Sequence, residues 1–329
     1  MDSSSAILFN YSKASGLLGK AFIGKRTGLL FEKKSLSELW TLLFKSQSPV
    51  VSERFLAQQI ELEAQKRFIN QYIGFLRKWD NPPEILVDQL KLVQLRNIKL
   101  IYSALSKKEE ELPYIVDLAE FSSLDVSAWP NLELITKNSE FSWCREVADI
   151  HNQRKIEYKM DLQFLQSWWN QIQKYHGEEK SVQRKFFIEE FSLKNIIWAL
   201  RLSVYYDYPK DEIIKNLLYV TERADLKDPV AAPVFEILDK RIDKWSDWEK
   251  WKYAGYLNQP QKDGSWKIDP VWFEKQYSLV KERHALRIFH EQSMSNAAFV
   301  AWFKIKSFEL NCIRRAVESI RLGVANEIS

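Results

Sequence analysis

Residues 301–324, AWFKIKSFELNCIRRAVESIRLGV, space their apolar side chains at three- and four-residue steps. Ile305, Phe308, Cys312, Ile313, Ala316 and Ile320 therefore share one face of a predicted helix. Glu309 falls inside that stripe, four residues after Ile305 and four before Ile313. A carboxylate buried there must be paired or hydrogen-bonded, because removing the partner of a buried ion costs on the order of 3–5 kcal/mol. The spacing predicts that Glu309 pairs across a helix contact with a cation, Arg201 or Lys306, and fixes how units pack. Lys306, Arg314 and Arg321 are expected to lie away from the stripe, where they can meet acidic loops of a partner.

The same short string recurs upstream. QLRNI at 94–98, SLKNI at 192–196 and ELNCI at 309–313 each carry Leu second and Ile fifth, with Asn97, Asn195 and Cys312 at the fourth position. Four residues before that position stand Val93, Phe191 and Phe308, and four after it Ile101, Ala199 and Ala316. Shared identities at fixed offsets point to a triplicated helical unit.

Helical spacing dominates elsewhere: a helix over 36–44, a long one over 53–79, one from Pro83 to Leu105, then 141–175 and about 181–206. Asp80–Ile85, with Pro82 and Pro83, interrupts the second and third. Pro209 opens a further helix, and NQPQKDGSWKIDP at 258–270 is the strongest loop signal. The chain is expected to be all-α, with repeats at about 12–112, 141–208 and 266–329 joined by helical connectors 113–140 and 209–265.

Composition agrees with that class. Only 9 Gly and 10 Pro in 329 residues leave little material for a many-stranded β fold, while 13 Trp suit broad packing surfaces between helices. A net charge of +4 from 48 basic and 44 acidic residues lacks the footprint of a nucleic-acid binder. The two cysteines, Cys144 and Cys312, are too few for a disulfide framework, and Cys312 is read as a small reduced core residue. No run reaches the roughly 18 apolar residues of a membrane span. The start lacks the basic and apolar regions of a signal peptide. The expected location is therefore cytoplasmic, peripheral to a membrane at most.

Motifs for chemistry are weak. GKAFIGKRT at 19–27 has Gly19, Gly24 and Lys25 of a phosphate-binding loop, but Arg26 stands where a magnesium-holding hydroxyl is needed. His284 and His290 are six residues apart, wrong for a zinc helix, and neither His151 nor His176 has a second His or Cys at ligand spacing. No catalytic residue, metal site or cofactor is predicted, and the chain is read as not an enzyme.

The closing stretch FVAWFKIKSFELNCIRRAVESIRLGV resembles the last helix of the C-type subunits of V-type and A-type rotary ATPases, whose eukaryotic counterparts are designated d. SLKNIIWALR, with Asn195 and Arg201, and QLRNIKLIYSAL, with Asn97, resemble the family's Asn-containing helices. KAFIGKRTGLLFEKKSLSELWTLLF resembles its opening, with the Leu29-Leu30 pair. The sequence departs from the family at Gln94 and Ser192, where an acid is usual, and at Cys312, where Asn is expected. The resemblance implies three similar helical units around a pseudo-threefold axis, forming a funnel. It also implies a non-catalytic central-stalk component, one copy per complex, that links central-shaft subunits to the membrane rotor ring during H⁺ or Na⁺ transport. The competing reading is an α-helical scaffold for other proteins, unrelated to a rotary motor.

Overall fold

The computed structural model describes residues 1–147 and 152–323. Among them every regular element is a helix. In chain order these are α1 (Ser3–Leu18), α2 (Gly28–Phe31), α3 (Leu36–Phe44), α4 (Glu53–Leu76), α5 (Glu84–Ser106), α6 (Leu132–Thr136), α7 (Gln153–Lys174), α8 (Gly177–Tyr206), α9 (Lys210–Lys215), α10 (Ala232–Phe235), α11 (Pro270–Glu291) and α12 (Asn296–Leu322), with short 3₁₀ turns between some of them. Two compact units result: Met1–Leu100 with Pro113–Ser123 and the chain from His284 onward, and Ile101–Leu112 with Leu124–Arg283.

Capping side chains set the helix ends. Ser35, Ser52 and Ser295 accept the orphan backbone N–H groups of Glu38, Phe55 and Ala297, which starts α3, α4 and α12 where those residues stand. Gly323 ends α12 at φ 63°, a left-handed cap that glycine adopts without steric penalty.

In the first unit α4 packs on α12 through aromatic side chains that meet edge-on or tilted. Tyr72 meets Phe303 at 4.8 Å between ring centroids, Phe75 meets Trp302 at 4.8 Å, and Phe68 meets Phe303 at 4.9 Å. Such pairs add about 0.5–1.5 kcal/mol each beyond the area they bury. Ala297–Phe303 is buried on every side, so the apolar run that stops at Lys304 is a core helix. The second half of α12 is covered by Phe22, Leu30, Leu36, Leu39 and the start of α4.

In the second unit Trp168 of α7 packs edge-on against Phe187 of α8 at 5.4 Å. The other end of α8 is buried beneath Trp248, Trp251, Trp266 and Phe273. Trp248 and Trp266 each donate their indole N–H to a backbone carbonyl, of Arg241 and Asn258, both at 2.8 Å.

Two expectations need correction. The connectors 113–140 and 209–265 are mostly irregular, with only α6, α9 and α10 as short helices. Buried apolar residues of the second connector, Trp248 and Trp251 among them, lie on turns and bends. Residues 141–143 form a turn and 144–147 are irregular, held by Ser139 Oγ, which accepts from Phe141 N, and by the bond from Cys144 N to Phe141 O. Phe55, in the first turn of α4, is exposed. The expectation for His151 lies outside the described residues.

Candidate functional site

Glu309 is 5 % exposed, as its place in the stripe demands. One carboxylate oxygen, Oε1, accepts the backbone N–H of Phe22 at 2.7 Å, and the other pairs with Lys306 Nζ. Lys306 is thus the cation, but it belongs to the same helix one turn earlier and is itself largely buried. Arg201 pairs instead with Glu274 at 2.6 Å in the second unit. What Glu309 reaches across to is main chain: the segment between α1 and α2, 287 residues away in sequence.

That segment is braced from both sides. Phe22 O accepts from Thr27 Oγ1 at 3.2 Å, while Arg26 donates to the carbonyls of Gly19 at 2.7 Å and Lys20 at 3.2 Å. A helix precedes it, and Gly24 turns at φ 55°. GKAFIGKRT therefore folds as a tight turn clamped on α12, with the backbone N–H of Phe22 committed to a carboxylate of the chain itself.

The two earlier copies of the motif do comparable work. Asn97 of α5 donates to Val116 O at 2.7 Å and accepts from Val116 N at 3.0 Å. Gln94, one turn before it, donates to Ser123 Oγ and accepts from Ser123 N at 3.1 Å. In α8, Asn195 donates to Leu218 O at 2.7 Å and Val230 O at 3.2 Å and accepts from Leu218 N at 2.9 Å. Ser192 donates to Pro229 O at 3.3 Å. A side-chain amide offers a donor and an acceptor together, so it satisfies both polar groups of one irregular residue that would otherwise be buried without partners. Gln94, Ser192 and Glu309 thus occupy equivalent positions, and each binds the main chain of an irregular segment. Cys312, at the Asn position of the third copy, is buried and outside any disulfide.

Arg314 and Arg321 take different places. Arg314 is half-buried, donating to Gln65 Oε1 at 3.1 Å and lying 3.6 Å from a Glu61 carboxylate oxygen. Desolvation pushes Arg314 down and Glu61 up from their ordinary values, the second despite the attraction of Arg314. Nearby Arg96 falls to about 10, through desolvation first and then the like charge of Arg314. Arg321 is exposed in the last turn of α12, where a cation favours the helix dipole.

One residue of this kind escapes sequence reasoning. Asp228 is fully buried and accepts five bonds: from the backbone N–H groups of Val220, Thr221, Val230 and Ala231, and from Thr221 Oγ1. It closes the loop whose carbonyls Asn195 and Ser192 hold. The only sequence cue is Asp228-Pro229, an ordinary turn dipeptide.

Among the described residues no group of three His, Cys, Asp or Glu side chains is gathered as a metal site requires, and no helix is long and apolar enough to cross a membrane. The arrangement fixes irregular chain onto long helices. A family model described as ATP synthase (C/AC39) subunit matches residues 29–329. The chain belongs to that family. It is also 24 % identical over 323 residues to an uncharacterized protein of Treponema pallidum (strain Nichols), with 98 % of this chain and 95 % of the other covered. The family's match runs through α3, α5, α8 and α12, and so through all three copies of the motif.

Proposed function

We propose that this chain is a non-catalytic central-stalk coupling subunit of a V/A-type rotary ATPase. One copy links the rotating shaft to the membrane rotor ring and passes torque between ATP turnover and H⁺ or Na⁺ movement. The observation that carries the reading is the family match over residues 29–329 on an all-helical chain. Physical support comes from the repeated clamps at Gln94–Asn97, Ser192–Asn195 and Glu309. A part that transmits twist must resist internal shear, and polar side chains tying irregular backbone to long helices supply that resistance.

On this reading the three helices are copies of one unit, at about 12–112, 141–208 and 266–329. They surround a pseudo-threefold axis as a funnel, and the turn between α1 and α2 completes the third copy by offering its backbone to Glu309. The protein would sit on the cytoplasmic face as a peripheral component.

The test is affinity purification of the tagged chain from its own host in mild detergent, followed by mass spectrometry. Recovery of a membrane rotor ring together with a shaft subunit is the expected result. Recovery of the chain alone, or with unrelated soluble proteins, would return the assignment to a general helical scaffold.

A further inference from the structure

The first unit contains a half-open cavity of about 350 Å³ beside the Glu309 clamp. Its floor is apolar, formed by Leu42, Leu43, Phe44, Phe68, Leu310 and Ile313, all buried or half-buried beneath the mouth. Four exposed cationic side chains, Lys20, Arg26, Lys45 and Arg67, stand at its edge, and the largely buried Lys306–Glu309 pair completes the lining.

That carboxylate is already used by Phe22 N and Lys306. Arg26 is taken up by two carbonyls, and Arg67 lies over the Phe44 ring at 4.5 Å with Glu63 at 3.4 Å. Lys20 and Lys45 pair with no carboxylate of the described residues. Lys45 occupies the left-handed C-cap of α3 at φ 57°, where glycine would cost less, so the backbone accepts strain at the residue that brings this ammonium to the rim. In the wall, the buried Gln71 Oε1 has no donor.

We propose that this cavity docks an acidic, aliphatic segment of a partner protein. A leucine-type side chain enters the floor and flanking carboxylates close on Lys20 and Lys45. Charge complementarity selects the ligand: surplus positive charge rings an apolar recess, and opposite charge at such a rim steers association. The apolar lining is buried or half-buried, so occupancy requires an inserted side chain; a flat lipid surface would find no exposed apolar plane there. The choice of a protein partner rests on the coupling function proposed above.

Fluorescence anisotropy with the full chain tests this. The probe is a short labelled peptide of alternating leucine and glutamate, and the comparison is its glutamine counterpart. Wild type binds the acidic peptide in a salt-sensitive way, while the glutamine peptide and the Lys20→Glu/Lys45→Glu variant each lose about tenfold or more in affinity. Lys25→Glu, adjacent in sequence but outside the cavity, retains binding, and matched circular dichroism melts show that the variants fold. Equal binding of both peptides, equal loss in Lys25→Glu, or no binding at all overturns the proposal. So does capture by vesicles of equal parts phosphatidylserine and phosphatidylcholine without peptide binding. If the peptide fails while the rotary complex co-purifies, only this inference falls; if the peptide binds and the complex does not, the coupling role falls instead.

Discussion

Replacing Glu309 by alanine removes an acceptor from Phe22 N–H, which is nearly buried, and a counterion from Lys306, whose side chain is 13 % exposed. An orphaned buried N–H costs about 1–3 kcal/mol. Stranding a nearly buried ammonium adds a comparable amount, so Glu309→Ala should lose about 3–5 kcal/mol, near the range for breaking a buried pair. Glu309→Gln keeps a carbonyl for Phe22 and loses only the charge, so about 1–2 kcal/mol is expected, the difference between a charge-assisted and a neutral hydrogen bond. Urea unfolding of the full chain gives the stabilities, and hydrogen exchange at the Phe22 amide reads the clamp directly. The alanine variant should expose that amide well before global unfolding; the glutamine variant should protect it. An alanine variant costing under about 1 kcal/mol, with the Phe22 amide still protected, would refute the assignment of Glu309 as the group that holds the N-terminal turn.

Other outcomes rest on the same matching of donors to acceptors. Asn195→Ala orphans the N–H and C=O of Leu218 and one bond at Val230, and should cost about 2–5 kcal/mol by urea denaturation, with Asn97→Ala similar. Asp228→Ala removes the acceptor of five bonds and should cost more than either, seen as early proteolysis within 218–231. Because the Glu61 carboxyl is raised by desolvation, the folded state holds its proton more tightly than the unfolded chain. Wild-type stability should therefore fall relative to Glu61→Gln as pH rises above the ordinary value of 4.5, and a stability difference that grows in wild type's favour would contradict this. Lys45→Gly relieves a left-handed lysine and should raise the melting midpoint, by up to about 1 kcal/mol of stability.

Periodicity alone located the helices whose buried faces are large and aliphatic or aromatic. Leu36–Phe44 falls where the spacing puts it, and α4, α5, α8 and α12 differ only by a few residues at their ends. Helix α1 is invisible to the same reading because its buried stripe is Ala6, Asn10, Ala14 and Leu18, small or polar side chains with little hydrophobic contrast. The connectors mislead in the opposite sense, since Trp248, Trp251 and Trp266 supply apolar content where the backbone is irregular. At the site, the anomaly of Glu309 is legible as a carboxylate out of place. Its main partner is not, because a backbone N–H leaves no mark in a sequence and Phe22 lies far away along the chain. The Asn-containing strings are legible as a repeat, but a recurring residue does not reveal which carbonyl it holds.

The junction of Phe22 with Glu309 also bears on synthesis. The first unit takes α1–α4 from residues translated early and much of its aromatic core from α12, translated late. The turn at 19–27 must therefore wait, unclamped, until the ribosome has passed Glu309. A premature stop before Asn296 should leave Phe68, Tyr72 and Phe75 without their aromatic partners on α12, and the truncated product would be a natural target for cellular proteases.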